Sequence, residues 1–482
     1  MTEPLSTEST ASGHVVNDVH SGLNETHVRD VVRPESVQSL REVILSADSE
    51  GRAASVAGAR HAMGGQQFAN NVTLIDMMYL DRVLSFDGER GLITVQAGIQ
   101  WNGLVDWMVR SQRTSRQAWG IRQKQTGADA LTVGGALAAN AHGRGLQMKP
   151  IIDDVESFNI VGPDGQVIAC SRSTNRELFD LAIGGYGLFG VIESVTLRLS
   201  PRRKLRRIVD ELDVSGLITA FDRRIGDGAL YGDFQFAINE SSHMFLRHGI
   251  LSCYVPVPDS TTMPEGQLAL STSDWKQLLY LTHTDKEEAY RLYRAHYLST
   301  SGQVYWSDTH QLGTYLAGYH EELDRALGAS LPGSEMIGEL YVPRADLSRF
   351  MERAATALRE QGANVVYGTI RLIQVDEESF LNWARQPYAS VVINLHVDHS
   401  RGGVARCAEA FRSLIELAKG VGGSYFLTYH RWATKEQVKS CYPQFAEFLR
   451  MKLRYDPREL FQSNWYIHHR EMFSDELTGP AL

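Results

Sequence analysis

Cysteine and basic charge are both scarce in this 482-residue sequence. The four cysteines, Cys170, Cys253, Cys407 and Cys441, are far apart and form no CxxC or Cys/His arrangement, so neither a disulfide framework nor a metal site is indicated. The 48 Lys and Arg residues are outnumbered by 57 Asp and Glu residues, which gives a net charge of -9. Because a nucleic-acid-binding chain normally carries a basic domain or stripe, we expect no nucleic acid partner and a small-molecule ligand instead.

Long hydrophobic runs are also missing. No window approaches the roughly 18 uninterrupted apolar residues of a membrane span, and the first residues, MTEPLSTESTASGHVVND, contain no basic stretch followed by an apolar one. We therefore expect no membrane span, no secretory signal and a cytoplasmic location. Residues 1–24 are predicted to form a mobile tail.

The motifs of several common enzyme classes are absent. The sequence has no GxGxxG that opens a helix after the first strand, no GxxxxGK[ST] loop, no GxSxG turn and no HExxH helix. Nicotinamide-dependent, ATP-driven and hydrolytic functions are therefore disfavoured.

What is present is a mixed α+β pattern in two parts. Helical and strand-like periodicities alternate over residues 25–204, and a second set of strands alternates with longer helices over residues 205–432. We expect the remaining segment, 433–482, to pack back on the first domain.

Two stretches rich in small residues could approach a ligand closely. They are GARHAMGGQQ, residues 58–67, and TGADALTVGGALAANAHGRG, residues 126–145. Glycine lets backbone N–H groups come near a ligand, and concave runs of such groups bind anions. Together the loops favour a cofactor that carries a diphosphate, although small residues that merely allow tight packing remain an alternative for either loop.

Three segments in order, VAGARHAMGG through VQAG, TVGGALAANAHGRG and ELFDLAIGGYGLFGVIESVTLRL, resemble the PCMH-type FAD-binding domain of the vanillyl-alcohol oxidase superfamily. They are most similar to sugar and polyol oxidases, such as alditol oxidase, gulonolactone oxidase and the decaprenylphosphoryl-ribose oxidase. The resemblance covers most of residues 25–200 and is loose between about 205 and 420. It implies bound FAD and a two-domain α+β fold, in which a substrate (cap) domain has an antiparallel sheet covered by helices.

The resemblance also assigns residues to FAD. These are Gly58, Ala59, Arg60, His61, Ala62, Gly64, Gly65, Gln66, Gly127, Thr132, Val133, Gly134, Gly135, Ala139, Asn140, His142 and Ile192. In alditol and gulonolactone oxidases the histidine at the position of His61 is bonded to the flavin 8α-methyl carbon, so we hypothesise a covalent 8α-histidyl-FAD here. The residue that follows is Ala62 rather than the usual serine, and the decaprenylphosphoryl-ribose enzyme lacks the histidine. A loop histidine that hydrogen bonds to phosphate or backbone is therefore the alternative.

Candidate catalytic residues follow less directly from the resemblance. Arg371 resembles the arginine of a Glu-x-Arg pair in polyol oxidases, but Thr369 occupies the glutamate position. Tyr429 stands near the register of a lysine that lies over the flavin in relatives, and His430 follows it, so either could act as the base. His396 is a further catalytic candidate. The predicted substrate-binding residues are Gln235, Trp306, Glu339 and Asn394, and a purely structural role remains open for each candidate.

The predicted function is FAD-dependent oxidation of an alcohol group on a sugar-like or polyol substrate, by hydride transfer to flavin N5. Molecular oxygen or another acceptor would reoxidise the flavin. One alternative is a dehydrogenase or epimerase half-reaction on a glycosyl group in specialised metabolism, and another is a non-catalytic flavin-binding protein. The sequence gives no indication of oligomeric state.

Overall fold

The computed structural model describes residues 13–127, 129–313, 316 and 318–477. Strands and helices are mixed along the chain, which confirms the expected α+β class. The strands are β1 (His14–Val16), β2 (Thr26–Val28), β3 (Asp30–Val32), β4 (Ala54–Ala57), β5 (Thr73–Asp76), β6 (Val83–Asp87), β7 (Leu92–Gln96), β8 (Trp119–Ile121), β9 (Val155–Val161), β10 (Val167–Ser171), β11 (Val191–Pro201), β12 (Lys204–Asp213), β13 (Tyr231–Phe236), β14 (His248–Val257), β15 (Val304–Trp306), β16 (Gly333–Pro343), β17 (Val365–Ile373), β18 (Tyr388–Asp398) and β19 (Ser424–Tyr425). The helices are α1 (Val37–Ser49), α2 (Trp101–Ser111), α3 (Val133–Ala138), α4 (Arg176–Ala182), α5 (Leu217–Gly226), α6 (Thr272–Thr284), α7 (Lys286–Ser299), α8 (Tyr319–Leu327), α9 (Leu347–Glu360), α10 (Arg401–Lys419), α11 (Lys435–Cys441), α12 (Phe445–Tyr455), α13 (Asn464–Met472) and α14 (Ser474–Leu477).

The first part of the chain is built on two larger sheets. Strands β3, β5 and β4 form a parallel sheet in that order, and β10-β9-β11-β7-β6 form an antiparallel sheet to which β8 adds along β11. Helix α1 begins at a capping box on Ser36 and packs Leu40 and Ile44 into a core with Ile75 of β5. This packing fixes β4, and the first small-residue loop leaves the sheet at the end of that strand.

Residues 13–24 belong to this folded unit, which corrects the expectation that they are part of a tail. Strand β1 pairs antiparallel with β2, and Val16 is buried. The turn between the strands is held by Asp18, whose carboxylate accepts hydrogen bonds from the backbone and the hydroxyl of Ser21. Polar residues that predicted a tail therefore satisfy the backbone of a turn. Residues 1–12 lie outside the described part of the chain.

The second part contains an eight-stranded sheet with the order β15-β12-β14-β13-β17-β18-β16-β19. All of its neighbouring strands run antiparallel, as the resemblance implies for the substrate domain. The predicted boundaries, 25–204, 205–432 and 433–482, remain predictions; strand β11 ends at Pro201 and β12 begins at Lys204.

The two faces of this sheet differ in chemistry because successive side chains of a strand alternate between faces. One face carries buried apolar side chains such as Leu340 and Ile370, and Phe411 of α10 packs directly under Gly338 on that side. The opposite face carries polar side chains, and we call it the polar face. Its members include Asp233, Gln235, Glu335, Glu339, Thr369, Arg371, Ser390 and Asn394.

Helices α6, α7 and α8 lie over one end of the polar face, where α6 contacts β17, α7 contacts β12 and β14, and α8 contacts β16. The C-terminal segment lies against the first part of the chain: Phe461 forms a parallel bridge with Ala54, and Asn464 N–H donates to the carbonyl of Phe68. None of the helices in the described ranges is long and apolar enough to cross a membrane.

Candidate active site

A cavity of about 720 Å³ lies between the small-residue loops and the polar face. The predicted site residues that line it are Gly58, Ala59, Arg60, His61, Ala62, Gln66, Gly127, Thr132, Gly134, Gly135, Ala139, His142, Ile192, Gln235, Glu339, Arg371, Asn394 and Tyr429. Those that do not line it are Gly64, Gly65, Val133, Asn140, Trp306, His396 and His430. The fold thus brings the two loops and most of the substrate-domain candidates to one space.

The first loop follows β4 and runs from Gly58 to Gln66. A Cβ atom at Gly58 would lie 2.2 Å from Oγ1 of Thr132 in the second loop, so the two loops can meet only because this residue is glycine. Arg60 has a left-handed backbone, with φ of 61°, and its guanidinium lies 3.6 Å from the Asp76 carboxylate. The loop is therefore bent and fixed at the cavity wall.

Gly64 and Gly65 do not line the cavity, and their assignment as cofactor contacts stays a prediction. The N–H of Gly64 donates to the Thr428 carbonyl at 3.2 Å, and Gln66 Nε2 donates to the same oxygen at 2.9 Å. Gly65 has φ of 78°, a conformation that favours glycine. These two residues anchor the loop to the segment that follows β19.

The second loop leads into α3, and three of its predicted cofactor residues make contacts within the protein. Thr132 caps the helix by accepting from Gly135 N–H at 3.2 Å. Val133 is buried in the core. The Asn140 amide, also buried, donates to Asp376 at 2.9 Å. The loop joins the two parts of the chain through Asn140 and presents the remaining small residues to the cavity.

A third wall is the segment 186–192, which precedes and enters β11 and includes Ile192. The hydroxyl of Tyr186 lies 3.3 Å from Oγ1 of Thr428, so this segment also contacts the residues after β19. Sequence reasoning identified the segment but not Tyr186.

His61 lies beside His20, a contact that the sequence does not suggest. Nδ1 of His61 is 2.7 Å from Nε2 of His20, and both rings line the cavity. Burial, followed by the neighbouring His20, lowers the pKa of His61 to about 3, although Asp18 opposes the shift. Burial likewise lowers the pKa of His20 to about 4. His61 is therefore a neutral imidazole near pH 7, which is the nucleophilic form.

Glu339 is the centre of a buried polar network. Its Oε1 accepts from His142 Nε2 at 2.5 Å and from the Ser390 hydroxyl at 2.5 Å. Burial alone would raise the pKa of this carboxyl, but His142, Ser390 and then Arg371 hold it below its usual range. Nδ1 of His142 faces the Gly143 carbonyl at 2.9 Å. Both ring nitrogens of His142 thus face hydrogen-bond acceptors, which fixes the ring between the Gly143 carbonyl and Glu339.

Arg371 and Tyr429 stand next to this pair. Nε of Arg371 is buried and makes no hydrogen bond in the described structure. Burial and the adjacent Glu339 raise the pKa of Tyr429 well above its usual range. The raised pKa favours the protonated hydroxyl of Tyr429, and its expected role as the base stays a prediction.

Two predicted substrate residues, Gln235 and Asn394, lie on the polar face, and each is held there by the hydrogen bond that its amide nitrogen donates. Gln235 donates to Asp233, and Asn394 donates to Glu335 at 3.1 Å. Oε1 of Gln235 and Oδ1 of Asn394 are buried, and neither accepts a hydrogen bond in the described structure. Buried polar atoms are normally satisfied, so these atoms are placed for a bound polar ligand.

The two histidines proposed as catalytic lie outside the cavity. His430 is stacked between Phe411 and Trp432, with ring centroids 4.8 and 5.1 Å away. His396 packs against His283 at 4.9 Å, beneath α6. His430 follows Tyr429 in sequence, and His396 shares a strand face with Asn394, but neither ring lines the cavity.

Trp306 is a packing residue: the Arg202 guanidinium lies over its ring at 4.3 Å. Sequence reasoning also missed several cavity residues because they come from strands and helices whose pairing is not local. The charged or aromatic ones include His20, Arg144, Arg207, Asp233, Tyr293 and Tyr297. Arg144 stands at the end of the second small-residue loop, which was the available signal.

Known proteins resemble the part of the chain that contains the two small-residue loops. Residues 28–171 match the family described as FAD binding domain. The L-galactono-1,4-lactone dehydrogenase 1 of Oryza sativa subsp. japonica is 31% identical over 185 residues, which are 38% of this chain and 30% of the relative. The L-gulonolactone oxidase of Mus musculus is 28% identical over 191 residues, 38% of this chain and 41% of the relative. The L-gulono-1,4-lactone dehydrogenase of Mycobacterium tuberculosis is 28% identical over 192 residues, 38% of this chain and 42% of the relative.

These matches confirm the resemblance: the chain contains a PCMH-type FAD-binding domain, and its relatives in that domain include aldonolactone dehydrogenases and oxidases. FAD is the cofactor of this domain. The alignments span less than half the length of the curated relatives. The residues present fit FAD. The two small-residue loops, which can meet only because residue 58 is glycine, border the cavity, and buried polar atoms without hydrogen-bond partners face it.

Proposed function

We propose that this chain is an FAD-dependent oxidoreductase that oxidises a hydroxyl group of a sugar-like or polyol substrate. One observation carries the proposal: the FAD-binding loops and the polar face line the same cavity, where Glu339 and Arg371 of the polar face and Tyr429, which follows β19, all border it. The names of the relatives, which are lactone dehydrogenases and oxidases of sugar-derived compounds, support this class of substrate.

The bound flavin supplies the acceptor for the hydride that leaves the carbinol carbon. The chain must remove the hydroxyl proton as the hydride departs. Glu339 is ionised because His142, Ser390 and Arg371 lower its pKa against the effect of burial. The Glu339 carboxylate accepts the proton, and the substrate becomes the carbonyl compound.

Arg371 and Tyr429 hold the substrate oxygen. The unpaired Nε–H of Arg371 can donate to it, and a guanidinium stabilises the negative charge that develops as the proton leaves. Tyr429, protonated because its pKa is raised, can donate to the same oxygen or to a neighbouring hydroxyl. The amide oxygens of Gln235 and Asn394 accept from other substrate hydroxyls.

His61 is proposed as the covalent attachment point of the flavin. Its neutral imidazole is a competent nucleophile. His20, 2.7 Å from Nδ1, would hold or accept the proton of that nitrogen. The alternative, a non-covalent loop histidine, is separated from this proposal by the fate of the flavin on denaturation.

Anaerobic mixing of the purified protein with a panel of polyols, aldoses and aldonolactones tests the function. At least one compound should bleach the oxidised flavin band. Bound flavin that dithionite reduces but that no member of the panel reduces would favour the non-catalytic alternative. Hydrogen peroxide formed during aerobic turnover would identify oxygen as the acceptor, whereas turnover only with an artificial dye would favour the dehydrogenase or epimerase half-reaction.

We also propose a cytoplasmic location. The Oryza sativa relative is named as a mitochondrial protein. Fractionation of the source cells, with activity and flavin followed together, tests the location directly.

A further inference from the structure

Two arginines with surplus charge line the part of the cavity near β12. Arg207 belongs to β12, and Arg144 stands at the end of the second small-residue loop. The guanidinium carbons of Arg207 and Arg144 lie 5.2 and 5.0 Å from the ring centroid of the same residue, Tyr254. Two like charges are therefore held close together.

Arg207 has only neutral partners. Its Nε and Nη2 donate to the Tyr254 hydroxyl at 3.0 and 2.6 Å, and Nη1 donates to Oγ1 of Thr300 at 2.8 Å. No carboxylate of the described residues lies within ion-pair distance of it. A guanidinium has five N–H donors, so Arg207 retains donors and an unneutralised charge.

Arg144 is only partly compensated. Its Nη1 lies 3.5 Å from the Asp233 carboxylate, Nη2 donates to the carbonyl of His310, and Nε is buried without a hydrogen bond. One carboxylate thus stands near two guanidiniums. The imidazole of His310 adds no negative charge, and burial followed by both arginines lowers its pKa well below its usual range.

Burying a guanidinium without a counter-charge is unfavourable, because the lost hydration is not replaced. We infer that the substrate carries an anionic group that binds between Arg144 and Arg207. The planar guanidinium fork matches a carboxylate in a bidentate arrangement. The inference rests on the proposed function for its substrate class, and it names a feature of that substrate.

The anion site is separate from the first loop. That loop is attached to Thr428, which follows β19 at one edge of the sheet, whereas β12 lies next to the opposite edge. Glu339 on β16 is five strands from β12, and each step is about 4.8 Å. Even after long side chains bridge part of this span, the anionic group lies well away from the oxidised hydroxyl.

The substrate is therefore an extended acid, comparable to an acidic disaccharide and longer than one lactone ring. The cavity wall beside Arg207 is aromatic, and the Arg207 guanidinium lies 5.3 Å from the Tyr297 ring centroid. Tyr293 and Tyr297 of α7 line the cavity with stacked rings whose centroids are 4.3 Å apart. Aromatic faces of this kind pack against the apolar faces of sugar rings.

The test uses the holoenzyme and two matched pairs of probes. Lactobionate and lactitol share a disaccharide skeleton and differ by a carboxylate in place of CH₂OH, and gluconate and sorbitol are the short equivalents. Binding is followed by perturbation of the oxidised flavin spectrum, and oxidation separately by anaerobic bleaching. The variants are Arg207→Gln, Arg207→Lys and the control Arg206→Gln, whose exposed side chain lies on the same strand.

Lactobionate should bind the wild type at least about tenfold more tightly than lactitol, the effect of one charge-assisted interaction. Arg207→Gln should remove this preference, Arg207→Lys should retain part of it, and Arg206→Gln should leave it intact. Gluconate should show a smaller advantage over sorbitol.

Equal affinities, a preference that survives in Arg207→Gln, or no saturable binding of lactobionate would overturn the inference. Loss of FAD from Arg207→Gln would also overturn it, because the two arginines would then bind an anionic group of the cofactor and not of the substrate. Tight binding of lactobionate with no bleaching by any sugar would count against the proposed function while supporting the anion site.

Discussion

Glu339 and Thr369 occupy the same register on either side of Val392. Strand β16 pairs Glu339 with Val392, and β17 pairs Thr369 with that same residue. Both side chains therefore emerge on the polar face, with β18 between their strands. The resemblance to polyol oxidases implies a carboxylate at position 369, and Glu339 supplies one on β16, hydrogen bonded to His142. We propose that Glu339 takes the place of the carboxylate that is missing at position 369.

Replacing Glu339 by Gln should slow flavin reduction by about 100-fold or more, the usual contribution of a general base, because the amide cannot accept the proton. Flavin content should be unchanged. Adding Thr369→Glu to Glu339→Gln should recover part of the rate, since a carboxylate at 369 would lie near Arg371. Anaerobic stopped-flow reduction measures both. A rate for Glu339→Gln within twofold of wild type would contradict the proposed proton acceptor.

Arg371→Met should lower the rate of flavin reduction by about 100-fold, the loss typical of a donor that stabilises developing negative charge. Arg371→Lys should recover little, because an ammonium does not reproduce the direction of the Nε–H donor. The matched control is Arg359→Met on α9, whose guanidinium bonds backbone carbonyls at the surface. Equal rates in Arg371→Met and the control would show that Arg371 only packs.

Gly58→Ala should abolish FAD binding. The added Cβ would meet Oγ1 of Thr132 at 2.2 Å, so the two loops must separate. Gly103→Ala is the control, since a Cβ there has no atom within 4 Å and lies in the exposed surface of α2. The ratio of flavin to protein absorbance after purification measures the effect. A Gly58→Ala protein that retains full flavin would refute the assignment of this loop.

His61 should retain the flavin after denaturation. Protein precipitated with acid should keep its yellow colour, whereas His61→Ala should release all of its flavin to the supernatant. His20→Ala should slow attachment, because the partner of Nδ1 is lost. Complete release from the wild type would establish that the flavin is not covalent, while leaving the FAD site itself unchallenged.

His430 should affect stability and not catalysis. Burial, followed by Arg412, lowers its pKa from 6.5 to about 3, so only the unfolded chain takes up this proton as the pH falls below about 6.5. The free energy of unfolding should therefore fall with pH, by about 2 kcal/mol at pH 5 from this residue.

His430→Phe should remove that part of the pH dependence and keep kcat within about twofold. Chemical denaturation at pH 7 and pH 5 provides the measurement, and His243→Gln, at an exposed position, is the control. A large loss of kcat in His430→Phe at unchanged stability would restore His430 as a catalytic candidate.

The cofactor side of the site could be predicted from local sequence because its signal is local. Gly58 and the residues around it are small because the loop backbone approaches a ligand closely, and this composition is visible within a single stretch of sequence. Gly64, Val133 and Asn140 belong to the same motifs, but the motif does not indicate which members face the ligand and which anchor the loop to Thr428, Ile99 or Asp376.

The substrate side depended on strand order, which the sequence does not reveal. Gln235 and Thr369 are paired although 134 positions separate them, and Glu339 lies beyond β18 from Thr369. Alternation along a strand predicted the shared face of Asn394 and His396, but the cavity ends before His396, where α6 covers the sheet. Arg207 was missed because its partners come from β14 and α7, far apart in the chain.

Anaerobic reduction of the bound flavin by a panel of polyols, aldoses, aldonolactones and acidic disaccharides is the decisive measurement. At least one hydroxylated compound should bleach the flavin in the wild type, and Glu339→Gln should slow this bleaching by about 100-fold at equal flavin content. A wild-type flavin that dithionite reduces but that stays oxidised with every member of the panel would contradict the proposed function.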